Sequence, residues 1–227
     1  MIGDAIGSEP PDPPFTGPER AILAGWLEFH RATLLLKCEG LDDEQRKRRP
    51  VRTSLMSLHG MVRHMANVER NWFRRALDQP DAPAIWADKG KDTDWAPLDS
   101  ANWAADLAVW QAECEHSRLT AGAHDLNDTG VAMRGGERAE FSLRWIYSHM
   151  IEEYARHNGH ADLVRELVNG ATDMGHLELF AALLAGYIGV WQPQCRLVSA
   201  VRSTDQARRG RVRTPGHAAL PTARRRR

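Results

Sequence analysis

The fold is decided most directly by residues 142–167, which read SLRWIYSHMIEEYARHNGHADLVREL. Residues spaced by three or four positions in this stretch fall on one face of a helix, and most of them are apolar. The stripe comprises Ile146, Met150, Glu153, His157, Ala161 and Val164. The pattern predicts a long amphipathic helix that turns Glu153 and His157 toward a core. A carboxylate there needs a metal ion or a hydrogen-bonded cation, because burying an unpaired charge is costly.

A second stretch, residues 57–73, supplies a further histidine and reads SLHGMVRHMANVERNWF. Apolar residues stand three positions before and four positions after His64, so His64 is expected on the inward face of its own helix. Glu153 and His157 are one helical turn apart and can bind one ion, while His64 reaches that ion from a neighbouring helix. Two imidazoles and one carboxylate around a metal with an open coordination position are typical of a catalytic site.

An interpretation without a metal fits the same spacing. In it, His64 and His157 are hydrogen-bonded histidines of the core. Glu153 then forms a salt bridge with Arg156 or Arg165 on its own helix. Spacing alone leaves both interpretations open.

Other histidines compete for the ligand role. His149 lies eight residues before His157, about 12 Å along a helix, so these two cannot share one ion. His149 and Glu153 are four residues apart and can bind one ion together. His160 follows His157 by three residues and is open to three roles: a ligand, a partner of a ligand, or the group that handles the substrate proton. The other histidines are expected to be ordinary core or surface residues: His30, His59, His116, His124, His176 and His217.

Three segments together resemble the DinB-like superfamily. They are residues 17–45 (GPERAILAGWLEFHRATLLLKCEGLDDEQ), residues 57–73 and residues 149–166 (HMIEEYARHNGHADLVRE). Within the superfamily the chain is most similar to the actinobacterial mini-circle protein group, which is related to the mycothiol-dependent maleylpyruvate isomerase. The resemblance runs from about Pro18 to Thr172 and includes several motifs in order.

The resemblance implies an all-α fold, a four-helix bundle in up-down-down-up order. It also implies a divalent metal held by a histidine of the second helix and two residues of the fourth. Many DinB-like proteins have two histidines at the last two positions, whereas the isomerase-like branch has Glu and His. The implied ligand set in this chain is therefore His64, Glu153 and His157.

Cap and breaker residues predict four long helices. The first begins near Thr16 and Pro18 and ends before Gly40, and the others run from about Ser57 to Leu77, from about Ser100 to Gly122 and from about Ser142 to Asn169, with Gly170 beyond the end. A short helical turn is expected in residues 41–49, before Pro50.

The connection between the second and third helices, residues 78–99, is too long for a tight turn. Its Trp86 and Trp95 have two possible roles: they line a substrate pocket, or they anchor the loop as buried side chains. The large surface that each ring can bury favours the second role. Trp72, two helical turns after His64, is expected to border the cavity. The neighbouring Glu69 and Arg70 match a family motif and are expected to support the bundle rather than to catalyse.

Composition divides the chain into three parts: a Pro-rich leader expected to be disordered (residues 1–16), the DinB-like metal-binding domain (17–172) and a C-terminal extension (173–227). From Met174 onward there are ten Arg, no Lys and two acids, a formal charge of +8, which balances −8 on the preceding 173 residues. The extension is open to three interpretations: a regulatory or nucleic-acid-binding arm, an apolar helix followed by a disordered basic arm, or sequence appended by a change of reading frame.

The last two interpretations of the extension are favoured. Its arginines have no interleaved aromatic residues and belong to no recognisable nucleic-acid module, so no specific nucleic acid is expected as a partner. The apolar segment LELFAALLAGYIGVW, residues 177–191, is shorter than a bilayer span, so no membrane partner is expected either.

Cysteine usage and the start of the chain indicate the compartment. Cys38, Cys114 and Cys195 form neither a CxxC pair nor a disulfide framework, which favours a reducing environment. No signal-like segment opens the chain, so a cytoplasmic location is expected. The 26 Arg against four Lys are typical of a GC-rich genome and favour an actinobacterial source, where mycothiol is expected.

These features predict a metal-dependent enzyme that activates a low-molecular-weight thiol such as mycothiol for transfer to, or isomerisation of, a small electrophile. Zinc is the first expectation for a His, Glu, His set, with nickel, iron and cobalt as alternatives. Two other functions stay open: a hydrolase that uses metal-bound hydroxide, and a non-catalytic DinB-like stress or binding protein. The expected partners are the thiol and the electrophile, and a homodimer is left open.

Overall fold

The computed structural model describes residues 12–86, 92–95 and 97–172 of the 227-residue chain. This part is mostly helical and carries a small two-stranded sheet. The helices are α1 (Glu19–Leu36), α2 (Asp43–Lys47), α3 (Leu58–Glu69), a π-helical segment (Arg70–Asp78) that continues α3, α4 (Trp103–Ala123) and α5 (Leu143–Asn169). The strands are β1 (Thr129–Arg134) and β2 (Glu137–Ser142).

The four long helices predicted from the sequence are confirmed, and side-chain caps explain three of their starts. Ser57, Asn102 and Ser142 each accept a hydrogen bond from the backbone N–H three residues later, at the starts of α3, α4 and α5. Gly170 ends α5 in the left-handed conformation, at a φ of 76°. The expected cap at Thr16 is wrong, because α1 begins at Glu19 after Pro18 and has no side-chain cap.

The expectation of an all-α fold is wrong between α4 and α5. Strands β1 and β2 pair antiparallel from Thr129 opposite Ser142 to Arg134 opposite Glu137. Gly135 and Gly136 form the two-residue turn with φ of 62° and 91°, a conformation that favours glycine at both positions. The Gly-Gly pair, in the connection between the third and fourth predicted helices, is the sequence signal for this hairpin.

Helices α1 and α5 lie side by side and run in the same direction. Near their starts Arg144 Nε lies 2.7 Å from Glu19 Oε1, and near their ends Lys37 Nζ lies 2.7 Å from Asp162 Oδ1. These two pairs join like ends of the two helices, so the first and last long helices are parallel neighbours.

Helices α3 and α4 also run in one direction, and α3 runs opposite to α5. His59 Nε2 lies 2.8 Å from Asp106 Oδ2 close to the starts of α3 and α4, and Arg70 Nη2, just after the end of α3, lies 2.6 Å from Glu113 Oε1 further along α4. Against α5, the ring of His64 lies beside that of His157, and further along the chain Phe73 lies beside Tyr147. The side chains between these helices form one buried core, whose fully buried members include Leu34, Leu58, Met61, Met65, Leu143, Ile146, Met150 and Tyr154.

Several predicted features lie outside the described residues. These are most of the leader, the apolar segment 177–191 and the Arg-rich end of the extension. Among the helices that the structure describes, none has the length and apolar character needed to cross a bilayer.

Candidate metal centre

Helices α3 and α5 bring His64, Glu153 and His157 together. One ligand atom from each residue lies within 4.8 Å of those of the other two, and this is the group of three such donors found in the described part of the chain. His157 Nε2 lies 3.7 Å from Glu153 Oε2, and the His64 and His157 ring centroids are 4.9 Å apart. His64 is distant from Glu153 and His157 in sequence, and the fold brings it next to them.

The burial of the cluster follows from the apolar stripes that carry it. On α5, Met150 and Ala161 are fully buried on either side of the Glu153 and His157 positions. The Glu153 side chain is 23 % exposed and that of His157 is 11 % exposed. The cluster thus lies at the edge of the core, where a small molecule can reach it.

A loop that follows the π-helical segment fixes the orientation of His64. Asp94 Oδ2 lies 3.0 Å from His64 Nδ1, and Asn67 donates a hydrogen bond to the other Asp94 oxygen. Trp95 stacks on the His64 ring at 4.9 Å between centroids. When Nδ1 carries the proton that Asp94 accepts, the lone pair of His64 is on Nε2, the arrangement common for metal-binding histidines.

The state of His157 also fits a metal ligand. Burial is the main cause that lowers the pKa of His157 to about 4, and the nearby charges of His64 and His160 act in the same direction. Its ring is therefore neutral at pH 7. Its buried Nδ1 has no hydrogen-bond partner among the described residues. Two imidazoles beside a carboxylate form a donor set that suits a divalent ion such as zinc.

The metal-free interpretation required Glu153 to pair with an arginine of α5, and the structure places both arginines elsewhere. Arg156 pairs with Glu152, one turn earlier. Arg165 donates to the backbone oxygens of Lys37 and Glu39. Histidines, not arginines, approach Glu153.

The two competing histidines lie close to the cluster without joining the group of three donors. His149 Nε2 lies 3.5 Å from Glu153 Oε1, so the i, i+4 pair considered from the sequence does form. Its ring stacks on Trp145. The His160 ring lies 5.6 Å from that of His157, and its buried Nδ1 has no hydrogen-bond partner in the described ranges.

The loop tryptophans have different roles. Trp86 is buried with the Arg63 guanidinium 4.5 Å above its ring, so it anchors the loop as favoured from the sequence. Trp95 instead walls the cluster, with its ring 6.0 Å from that of His157 and stacked on His64. Trp72 is connected to the cluster through His149. Its ring contacts that of His149, with 4.7 Å between the ring centroids.

Asp94 is the site residue that sequence reasoning missed. It lies thirty residues after His64 in an irregular loop, where no periodicity connects it to a helix face. The available signal was an acidic residue next to a tryptophan in a long connection, which is weak by itself.

A family model described as mycothiol-S-transferase matches residues 22–170, which cover about two thirds of the chain and include all three residues of the cluster. None of the curated proteins compared with the chain matches it.

Proposed function

Because the chain belongs to the mycothiol-S-transferase family, within the DinB-like superfamily, we propose that it is a metal-dependent transferase acting at the His64, Glu153 and His157 cluster. Its thiol substrate is mycothiol or a close relative, and its second substrate is a small electrophile. In the reaction, a bond forms between the thiol sulfur and the electrophilic carbon. The thiol loses its proton, and the electrophile loses its leaving group where it has one.

The observation that carries the proposal is the convergence of three donors of suitable chemistry inside the matched region. A divalent ion held by them, zinc first and nickel, iron or cobalt as alternatives, would lower the pKa of a thiol bound at its open coordination position. Glu153 in place of a third histidine lowers the net charge of the donor set, which favours a more nucleophilic sulfur.

The residues around the cluster have supporting roles in this proposal. Asp94 holds the His64 ring, and Trp95 covers the cluster and excludes water from one side. His160, with its unpartnered buried Nδ1 beside His157, is the residue that we assign to accept the thiol proton.

The described cysteines favour an external thiol. Cys38 and Cys114 are both free and buried. Burial raises the pKa of the Cys38 thiol to about 12 and that of the Cys114 thiol well above its usual range. Neither is a thiolate at neutral pH, so the nucleophilic sulfur in this proposal comes from the substrate.

The architecture that supports the site is proposed to be a four-helix bundle in up-down-down-up order. The parallel pairs α1 with α5 and α3 with α4, together with the opposite directions of α3 and α5, support this order. Residues 17–172 are proposed as the catalytic domain, with 1–16 as a leader and 173–227 as an extension that the chemistry does not need.

A substrate panel with and without thiol tests the proposed reaction. We expect S-conjugates of small electrophiles to form only when mycothiol and a divalent metal are both present, detected by mass spectrometry of the products. Hydrolysis of esters, amides or epoxides without thiol would instead identify a hydrolase. Stoichiometric metal without turnover of any substrate would identify a binding protein.

A further inference from the structure

We propose that the cavity between the π-helical segment and the β1–β2 hairpin binds the hydroxyl-rich, sugar-containing part of the thiol substrate. This inference rests on the proposed function, because it assigns a place to the part of mycothiol that does not react. Mycothiol carries its cysteine sulfur on an amide-linked pseudo-disaccharide of glucosamine and inositol, so most of the molecule must lie away from the reacting atom.

The cavity has a volume of about 450 Å³, within the range of small-molecule sites. The π-helical segment contributes Trp72 and Arg75 to its wall, and the hairpin contributes Met133 and Arg138. A π-helical turn is uncommon and occurs frequently at functional sites, since it displaces side chains from the positions that an α-helix would give them.

A glycine lets the hairpin approach the π-helical segment closely. A Cβ atom on Gly130 would lie only 2.1 Å from the backbone oxygen of Ala76, so no other residue fits without displacing the strand. The relative position of the two cavity walls is therefore set by backbone contact.

Two side chains in series, Trp72 and His149, connect the cavity to the cluster. Trp72 lines the cavity and contacts His149, with 4.7 Å between ring centroids, and His149 in turn approaches Glu153 to 3.5 Å. We therefore assign the cavity to the bulky polar part of the thiol, whose sulfur lies at the cluster, rather than to the small electrophile.

The wall of the cavity offers both hydrogen-bond donors and an acceptor, as a polyol requires. Asn71, Arg75 and Arg138 offer hydrogen-bond donors, and Asp81 offers an acceptor. With two arginines and one aspartate the wall carries a net positive charge, which disfavours a cation, while the hydroxyl groups of a sugar can use the donors and the acceptor together. Arg138 is exposed and forms no ion pair within the described residues, so its guanidinium is available to hydroxyl groups. The partly exposed Trp72 ring offers a flat apolar surface for the C–H face of a sugar ring.

A thiol-free fragment tests the assignment without relying on turnover. The probe is the neutral N-acetylglucosaminyl-inositol, titrated into the full-length protein by isothermal calorimetry, with and without added zinc. We expect saturable binding under both conditions. We expect Arg138→Gln to weaken it about ten-fold or more, because a charge-assisted hydrogen bond is lost. Trp72→Phe should also weaken it, by reducing the stacking surface.

Arg134→Gln is the matched control, since Arg134 is on the same hairpin and does not line the cavity. It should change fragment affinity by less than about two-fold, within the few tenths of a kcal/mol typical of surface substitutions. Arg138→Gln should also reduce the preference for mycothiol over N-acetylcysteine in kcat/KM by the same factor as it reduces fragment affinity.

The outcomes separate this inference from the proposed function. Absence of fragment binding, or equal binding by the wild type and the Arg138→Gln variant, would overturn the assignment even if S-conjugates form. Tighter binding of the anionic sugar glucuronate than of the neutral fragment would also overturn it. Fragment binding that depends on Arg138, in a protein that neither holds metal nor forms S-conjugates, would support the cavity assignment and reject the proposed reaction.

Discussion

Alanine substitution of His64, Glu153 or His157 is expected to remove stoichiometric metal from the purified protein in each case. The wild type should hold about one divalent ion per chain, whereas each variant should fall to background. Two remaining protein donors cannot complete the coordination shell of a tight site, because catalytic zinc sites use three protein ligands. Elemental analysis of the purified proteins by mass spectrometry measures the stoichiometry.

His149→Ala is the matched control for this series, since His149 is also a histidine of α5 and approaches Glu153 without belonging to the three-donor group. It should retain about one ion per chain. Circular dichroism of all variants establishes that the helices persist. Loss of metal in His149→Ala together with retention in Glu153→Ala would show that the ligand assignment is wrong.

The second large effect is expected on stability, from Glu69→Ala. Arg31 donates two hydrogen bonds to Glu69, at 2.8 Å from Nε and 2.6 Å from Nη2, and Tyr154 donates a third at 2.7 Å. The Arg31 and Glu69 side chains are only 4 % and 0 % exposed. Removing Glu69 leaves a buried guanidinium with a diminished counter-charge, so the free energy of unfolding should fall by about 3–5 kcal/mol. Urea denaturation followed by circular dichroism measures the loss.

Two comparisons make this stability test specific. Glu19→Ala removes a partner of the exposed Glu19–Arg144 pair, and it should destabilise far less than Glu69→Ala. The double variant Arg31→Leu with Glu69→Leu should be more stable than either single variant, because no unpaired charge is then buried. A Glu69→Ala protein as stable as the wild type would refute the role of this pair in the bundle.

The helices and the shared face of Glu153 and His157 could be predicted because both follow from local spacing. On α5, Glu153 and His157 are brought to one face by the helical repeat alone. His64 could be placed on the inward face of its own helix because its apolar neighbours showed which face is buried. The family resemblance then joined His64 to the other two residues as a ligand set.

The rest depends on contacts between residues distant in sequence. Asp94 reaches His64 from an irregular loop, and Arg31 reaches Glu69 from 38 residues away on another helix. The sequence indicated that Glu69 supports the bundle but could not identify its partner. The π-helical segment shows no break in the apolar pattern, so its sequence was predicted as a plain continuation of α3.

The central claim is that the cluster binds the sulfur of the thiol substrate, and a titration of the cobalt-substituted protein with mycothiol tests it most directly. Absorption spectroscopy should show a sulfur-to-cobalt charge-transfer band that saturates with mycothiol and does not appear with its S-methyl derivative. Glu153→His should retain the ion and the band but transfer the thiol more slowly, because the added histidine makes the bound sulfur less nucleophilic. An unchanged spectrum at saturating mycothiol, together with measurable hydrolysis in the absence of thiol, would contradict the account.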